Sequence, residues 1–453
     1  MRRRRVYSII LYCIALILLH VFLVGNAQNT KAAPAVDADG NMVQSEPVKI
    51  LLVGNSLTKY GEHTDGRTVQ GHLKKMAAAS GKTLIIKTVA YGGASLRNYA
   101  GLNPNKENQA KRFMKVLKSE EWDYIVIQEL SKRHFEKYEE YSIPAVKKLL
   151  RIIENRPEDA QVMLYLPRGF DFVKKKKAEI SAMEMECQIG AAGERLESQF
   201  DIDLIPVGMH HYRCMVQYPE IRLIGTDKKH PSKAGYFLAA SCIYQKIFHE
   251  PPLLNASVLA HAEISKQEAE QLIGLWGEGI SNWETEVTLN KGEKRRMHVV
   301  SANDIPVEEV RYTSLDENVA AVNDATGEIT AVGSGMTVVM AETKEGWQTY
   351  CTVYVPYDMP DQPTATTEVV TLADGQTVVS VQLNWKTEKD TEYAIYRAKS
   401  PKGTYELLKT VKRGRYTDTL SDRGKTWYYK AAATNGYKEC ESKRTEALAV
   451  VLP

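Results

Sequence analysis

From Val48 to Phe248 short apolar runs alternate with helix-like stretches, and this alternation restricts the chain more than any other feature. The runs are Val48 to Val53, closed by Gly54, then Thr83 to Val89, Tyr124 to Ile127, Gln161 to Leu166 and a weaker one at Leu204 to Val207. A short run that stays apolar at consecutive positions suits a strand covered on both faces. Helical stretches are expected at Val69 to Ala79, Lys106 to Leu117, Ser142 to Ile153, Lys175 to Glu197 and Ala234 to Phe248. Strands that each lead into a helix predict an α/β unit, a parallel sheet with helices on both sides. Ser265-Lys-Gln-Glu268 is a capping box for one more helix ending near Trp276.

The helical period is gone from Val287 onward. Short alternating runs separated by Gly and Asp turns predict two all-β segments, each about the size of one immunoglobulin-like sandwich. Pro356 to Pro363, with three prolines and two aspartates in eight residues, marks the break between them. The expected boundaries are 47–282 for the α/β domain, 283–357 for the first sandwich and 364–453 for the second.

The chain opens with Arg2 to Arg5 followed by an apolar run from Val6 to Val24, the pattern of an export signal. Residues 1–27 fit either a leader cut after Ala27 or a retained membrane anchor, since 19 apolar residues approach a spanning helix. Either way the rest of the chain is expected outside the cytoplasm, at the cell surface or secreted, with residues 28–46 as a polar spacer and no other membrane contact. Removing those four arginines from 59 basic residues leaves 55 against 56 acidic ones, which argues against nucleic-acid binding. Cys187, Cys214, Cys242, Cys351 and Cys440 are odd in number, widely spaced and without a CxxC pair, so they read as small buried hydrophobes.

Reactive groups in an open α/β sheet gather past the carboxyl ends of the strands. Gly54-Asn55-Ser56-Leu57 follows the first run, Gly92-Gly93-Ala94-Ser95 the second and Gln128-Glu129 the third; Asp227-Lys-Lys-His230-Pro231 stands just before a late helix. Together these make an inventory for acyl transfer. Ser56 can act as nucleophile, His230 as the base that takes its proton, and Asp227 as the group that fixes the imidazole tautomer. A glycine N–H in the second loop and an amide side chain can donate to an oxyanion. His210-His211 and Asn55 are candidates for lining a substrate cleft. No carboxylate or cysteine stands at ligand spacing from the histidine pair, so no metal is expected there. Lys174 to Lys177 reads as a solvated helix start, and Trp122 and Trp276 as packing residues.

At these residues the sequence resembles the SGNH/GDSL hydrolase superfamily. Ile50-Leu-Leu-Val-Gly-Asn-Ser-Leu57 is similar to its first block in a GNSL form, Gly93-Ala-Ser95 to its second, and Asp227-Lys-Lys-His-Pro231, extended through Tyr236, to its last. The likeness spans residues 48 to about 250. It implies a three-layer flavodoxin-like domain, Ser56, His230 and Asp227 as the triad, and Ser56 N–H with Gly93 N–H in the oxyanion hole. The third block departs from the pattern: Tyr124-Ile-Val-Ile-Gln-Glu-Leu-Ser131 lacks the usual asparagine, and Gln128 resembles the glutamine found there in some branches, carbohydrate esterases among them. Residues 318–332 resemble a bacterial immunoglobulin-like domain of group two, and Gly424-Lys-Thr-Trp-Tyr-Tyr429 a late-strand motif of fibronectin type III modules. The expectation is an exported serine esterase acting without a cofactor on O-acyl, foremost O-acetyl, groups of a glycan. Two alternatives stay open: a surface glycan-binding or adhesion protein with a decayed site, and an acyltransferase using the same serine.

Overall fold

The computed structural model describes residues 46–59, 68–132, 138–157, 159–170, 172–174, 177–277, 279–301, 307, 309–388 and 391–453. The leader or anchor and nearly all of the spacer lie outside them. Val48–Pro453 forms one compact unit. Among the described residues no helix is long and apolar enough to cross a membrane.

In chain order the α/β region comprises β1 (Val48–Gly54), α1 (Val69–Ala79), β2 (Leu84–Ala90), the short α2 (Leu96–Tyr99), α3 (Glu107–Leu117), β3 (Tyr124–Gln128), α4 (Ile143–Glu154) and β4 (Gln161–Tyr165). It continues with a hairpin of β5 (Phe172–Lys174) and β6 (Lys177–Ile180), then α5 (Ala182–Phe200), β7 (Asp203–Ile205), α6 (Val207–Gln217), α7 (Lys233–Phe248), α8 (Ala256–Ala262) and α9 (Lys266–Gly274). The sheet order is β2-β1-β3-β4-β7, parallel throughout. This is the flavodoxin-like winding, which reverses direction at β1/β3 and opens a crevice at the carboxyl ends there.

β1 shows why its sequence carries no alternation. Ile50 and Leu52 join the core under α1, α7 and α9, whereas Leu51 and Val53 join the core under α3, α4 and α5. All four are at most 1% exposed. Each such burial contributes about 1.5–3 kcal/mol, so a polar residue at any of them would open one helical layer.

Two expectations are corrected here. Lys175 and Lys176 lie outside the described residues, but their neighbours do not begin a helix: Lys174 ends β5, Lys177 opens β6, and α5 starts at Ala182 behind a Ser181–Glu184 capping box. Val207 opens α6 rather than extending a strand.

The first sandwich sets β10 (Lys294–Arg296), β14 (Glu328–Ala331) and β13 (Ala320–Val322) against a sheet ordered β12 (Val310–Ser314), β15 (Gly335–Thr343), β16 (Gln348–Val355), β9 (Glu286–Thr288). β8 (Ile280–Asn282) pairs with β11 (Val299–Ser301) beside it. The second sandwich has a three-stranded sheet, β17 (Thr364–Thr371), β18 (Thr377–Asn384) and β21 (Arg415–Leu420). It packs on a four-stranded one, β20 (Glu406–Val411), β19 (Glu392–Ala398), β22 (Thr426–Thr434) and β23 (Leu448–Val451).

These modules are not strung on free linkers. Every residue of β16 is buried. Cys351, Val353 and Val355 face the sandwich core, while Tyr350 packs with Val338 and Met340 against Cys187 and Ala191 of α5. A Cβ on Gly190 would lie 2.1 Å from the Tyr350 ring, so only glycine permits this approach of helix to sheet. The break at residues 356–363 is likewise pinned: Tyr357 N–H donates to Cys440 O at 3.0 Å, and the Tyr354 and Tyr437 rings stand 5.8 Å apart. The five described cysteines are all free and buried.

Candidate active site

The loop after β1 is fixed mostly by buried polar groups. Asn55 N–H and Thr58 O–H both donate to Gln128 Oε1, at 3.1 and 3.0 Å, across the gap between β1 and β3. Asn55 Nδ2 donates to Ala94 O at 3.2 Å, and Asn55 Oδ1 accepts Leu57 N–H at 3.0 Å. Tyr236 of α7 donates its hydroxyl to Ser56 O at 2.8 Å, and Tyr99 caps Gly54 O. Ser56 itself stays half-buried at the rim of the sheet.

The partner loop is shaped by one carboxylate. Asp227 Oδ1 accepts Lys229 N–H at 2.9 Å and His230 N–H at 3.0 Å, while Oδ2 meets His230 Nδ1 at 2.5 Å. Lys228, in the left-handed region at φ 60°, makes that tight turn possible. Gly225 N–H to His230 O, at 2.9 Å, closes the loop from the other side. Ser232 then caps α7 by accepting Gly235 N–H at 3.1 Å. Arg168, just past β4, donates one guanidinium N–H to Lys229 O and another to Gly169 O, both at 2.7 Å, and so ties the loop to the sheet.

These two loops bring His230 Nε2 to 3.1 Å from Ser56 Oγ. With Nδ1–H donating to Asp227, Nε2 is left to accept the serine hydroxyl proton. The His230 ring N–H, followed by the backbone N–H groups of His230 and Lys229, holds the Asp227 carboxyl well below the usual carboxylate range. The Asp227 side chain is 41% exposed and that of His230 21%, so bulk water reaches the pair.

Gly93 lies on the neighbouring loop. It takes φ 65° as the third residue of a turn in which Ala94 N–H donates to Tyr91 O at 3.0 Å, a position that favours glycine. The bond from Asn55 Nδ2 to Ala94 O holds this turn against the Ser56 loop.

Four residues stand elsewhere than expected. Gln128 is 1% exposed; its Oε1 faces two donors and its Nε2 donates to Glu129 O at 2.5 Å, so it braces the Ser56 loop from below and is not aimed at an oxyanion. Asn55, also 1% exposed, is a clamp between loops and lines no cleft. His210 and His211 lie inside α6, 1% and 7% exposed, and burial drives both imidazoles down to about 3, so they are neutral. His210 packs between Trp276 and Trp347, ring centroids 5.2 and 5.6 Å away. Among the described residues no three or more His, Cys, Asp or Glu converge as metal ligands. Sequence reading gave no role to Arg168 or Tyr236. Tyr236 had a signal, one helical turn past the Ser232 cap, whereas Arg168 had none because its contact spans 61 residues.

No family model matches the chain, and no curated protein does. Solved structures similar to it include a DUF4886 family protein from Bacteroides uniformis, 20% identical with a TM-score of 0.40 over 50% of this chain and 95% of that one. Another is TesA, 15% identical, TM-score 0.32, over 44% of this chain and 98% of that one. A carbohydrate acetylesterase family member from Sinorhizobium meliloti is also 15% identical, TM-score 0.32, over 44% and 97%. At these values no activity transfers from them to this chain.

Proposed function

We propose that this protein is an exported serine esterase that removes O-acyl groups, foremost O-acetyl, from a glycan. The observation that carries the reading is the continuous relay from Ser56 Oγ through His230 to Asp227, at 3.1 and 2.5 Å, on loops at the sheet's switch point. Ser56 Oγ attacks the ester carbonyl as His230 Nε2 takes its proton, and Asp227 stabilises the imidazolium that forms. The tetrahedral oxyanion faces the N–H groups of Ser56 and Gly93. Collapse expels the sugar alcohol, which receives the proton from His230 and leaves acyl-Ser56. Water deprotonated by His230 then attacks the acyl carbon, and the carboxylic acid departs as Ser56 regains its proton. The solvent reach of His230 and Asp227 favours water over a sugar hydroxyl as acceptor. The apolar, arginine-led start of the chain supports export, and attached sandwich modules suit a polymeric substrate better than a free lipid.

The test is acetate release from p-nitrophenyl acetate and from acetylated xylan, comparing the native chain with Ser56→Ala. We expect turnover to fall on the order of 10⁴-fold or more in the variant, with an unchanged melting temperature. Equal rates would remove Ser56 as nucleophile.

A further inference from the structure

A cavity of about 860 Å³ lies between the α/β region and the first sandwich, and Ser56, Asp227 and His230 take no part in it. Trp283 stands at its edge, directly after β8, and is 68% exposed. This indole is not a loose surface side chain. Its backbone N–H donates to His298 O at 3.3 Å, and its ring stacks on His298 with centroids 4.9 Å apart and planes within 18°. A large apolar ring held in place by one face while its surface remains open to a cleft is an unfilled contact. The rest of the lining mixes apolar side chains, Leu204, Met209 and Pro251 among them, with polar ones: Glu194 and Glu197 from α5, Asn282 from β8, and Lys246.

The chemistry of that lining restricts the ligand. An anion would have to compete with Asp203, which already holds the Lys246 ammonium at 2.6 Å. A lipid tail would have to displace water from Lys246, Glu197 and Glu250. A compact cation finds Glu194 already accepting Tyr350 N–H at 3.1 Å, and burial raises the Glu194 and Glu197 carboxyls toward their neutral forms. What fits is a neutral molecule with one flat C–H face for the indole and a ring of hydroxyls for the carboxyl and amide groups. We infer that the cleft bounded by Trp283, Glu197 and Asn282 is a binding site for a neutral oligosaccharide, separate from the catalytic loops. Clefts between modules are a favoured place for such sites. The inference does not rest on the esterase reading, since no residue of the relay contributes to it.

The experiment is titration calorimetry of the full chain carrying Ser56→Ala, so that no turnover occurs. Xylohexaose, cellohexaose, mannohexaose and chitohexaose serve as probes, with hexagalacturonate as the charged control. At least one neutral hexamer should bind with a Kd below about 1 mM. Adding Trp283→Ala should weaken it at least about tenfold, and Glu197→Gln should weaken it less. In the chain that retains Ser56, Trp283→Ala should leave p-nitrophenyl acetate hydrolysis and the melting temperature unchanged. Saturable binding by none of the neutral hexamers, equal binding with and without Trp283, or tighter binding of hexagalacturonate would each overturn the inference.

Discussion

The rim that carries Ser56, Asp227 and His230 and the junction between α5 and β16 treat charge in opposite ways. At the rim, Asp227 and His230 are partly solvated, three residues apart, and held by backbone N–H groups of their own loop. At the junction, Arg195 is 7% exposed, bonds the Tyr354 hydroxyl and lies over the Tyr138 ring at 4.1 Å, and Glu194 reaches across to the backbone of Tyr350. The rim is a short-range device that any well-built sheet edge could carry. The junction is a long-range one that depends on two modules meeting in one register. Changes at the rim should therefore act on rate and leave the fold alone, and changes at the junction should do the reverse.

The largest effect that would test this contrast is expected for Asp227→Asn. It leaves the loop's shape intact but removes the charge and the preference for the productive imidazole tautomer, so kcat should fall about 10²- to 10⁴-fold. The melting temperature should hardly move, because an exposed ion pair contributes little to stability. Steady-state kinetics on p-nitrophenyl acetate with a thermal melt decide it; a variant as fast as the native chain would mean the relay does not operate. Gly190→Val tests the other region. Its side chain would enter the space of the Tyr350 ring, and overpacking of that kind costs about 1–3 kcal/mol. Urea unfolding should show that loss while turnover per folded molecule is preserved. Arg168→Lys comes next: the charge is kept, but the fork that joins Lys229 O to Gly169 O is lost. We expect kcat to fall about tenfold with KM unchanged, and a changed KM with constant kcat would assign Arg168 to substrate binding instead.

The same contrast explains what could be read from the sequence. β1 to β4 and most of their helices were legible because each is a local pattern, an apolar run closed by a turn or a stripe at helical spacing. Ser56, Asp227 and His230 were legible because each follows or precedes such an element. Gln128 was placed beyond the correct strand but with the wrong task, since which way an amide faces depends on Asn55 and Thr58, 73 and 70 residues away. The outer face of β16 was not legible. Gln348, Tyr350, Thr352 and Tyr354 look like the solvent side of a sandwich strand, yet all are at most 2% exposed because α5 covers them. The histidine pair failed for the same reason: α6 is enclosed by tryptophans from beyond residue 270, which no local pattern announces.

The most direct probe of the junction's charges is the pH dependence of stability. Burial raises the Glu194 carboxyl from 4.5 to about 8, and that of Glu186, which accepts Gly169 N–H, from 4.5 to about 7. In the unfolded chain both ionise near their ordinary value, so between pH 4.5 and about 8 the folded state binds more protons than the unfolded one. Stability is then greatest below about pH 4.5 as far as these groups are concerned, falls as pH rises, and levels off above about pH 8. One group can contribute at most ~1.4 kcal/mol per pH unit, and less where cavity water reaches it. Glu194→Gln keeps an acceptor for Tyr350 N–H but has no proton to lose. Urea midpoints for the native and substituted chains should differ least at pH 5, and by pH 8 the chain carrying Glu194→Gln should be the more stable. Parallel slopes across that range would mean that Glu194 is ionised in the folded protein and that the junction holds its charges as openly as the rim at Asp227 and His230 does.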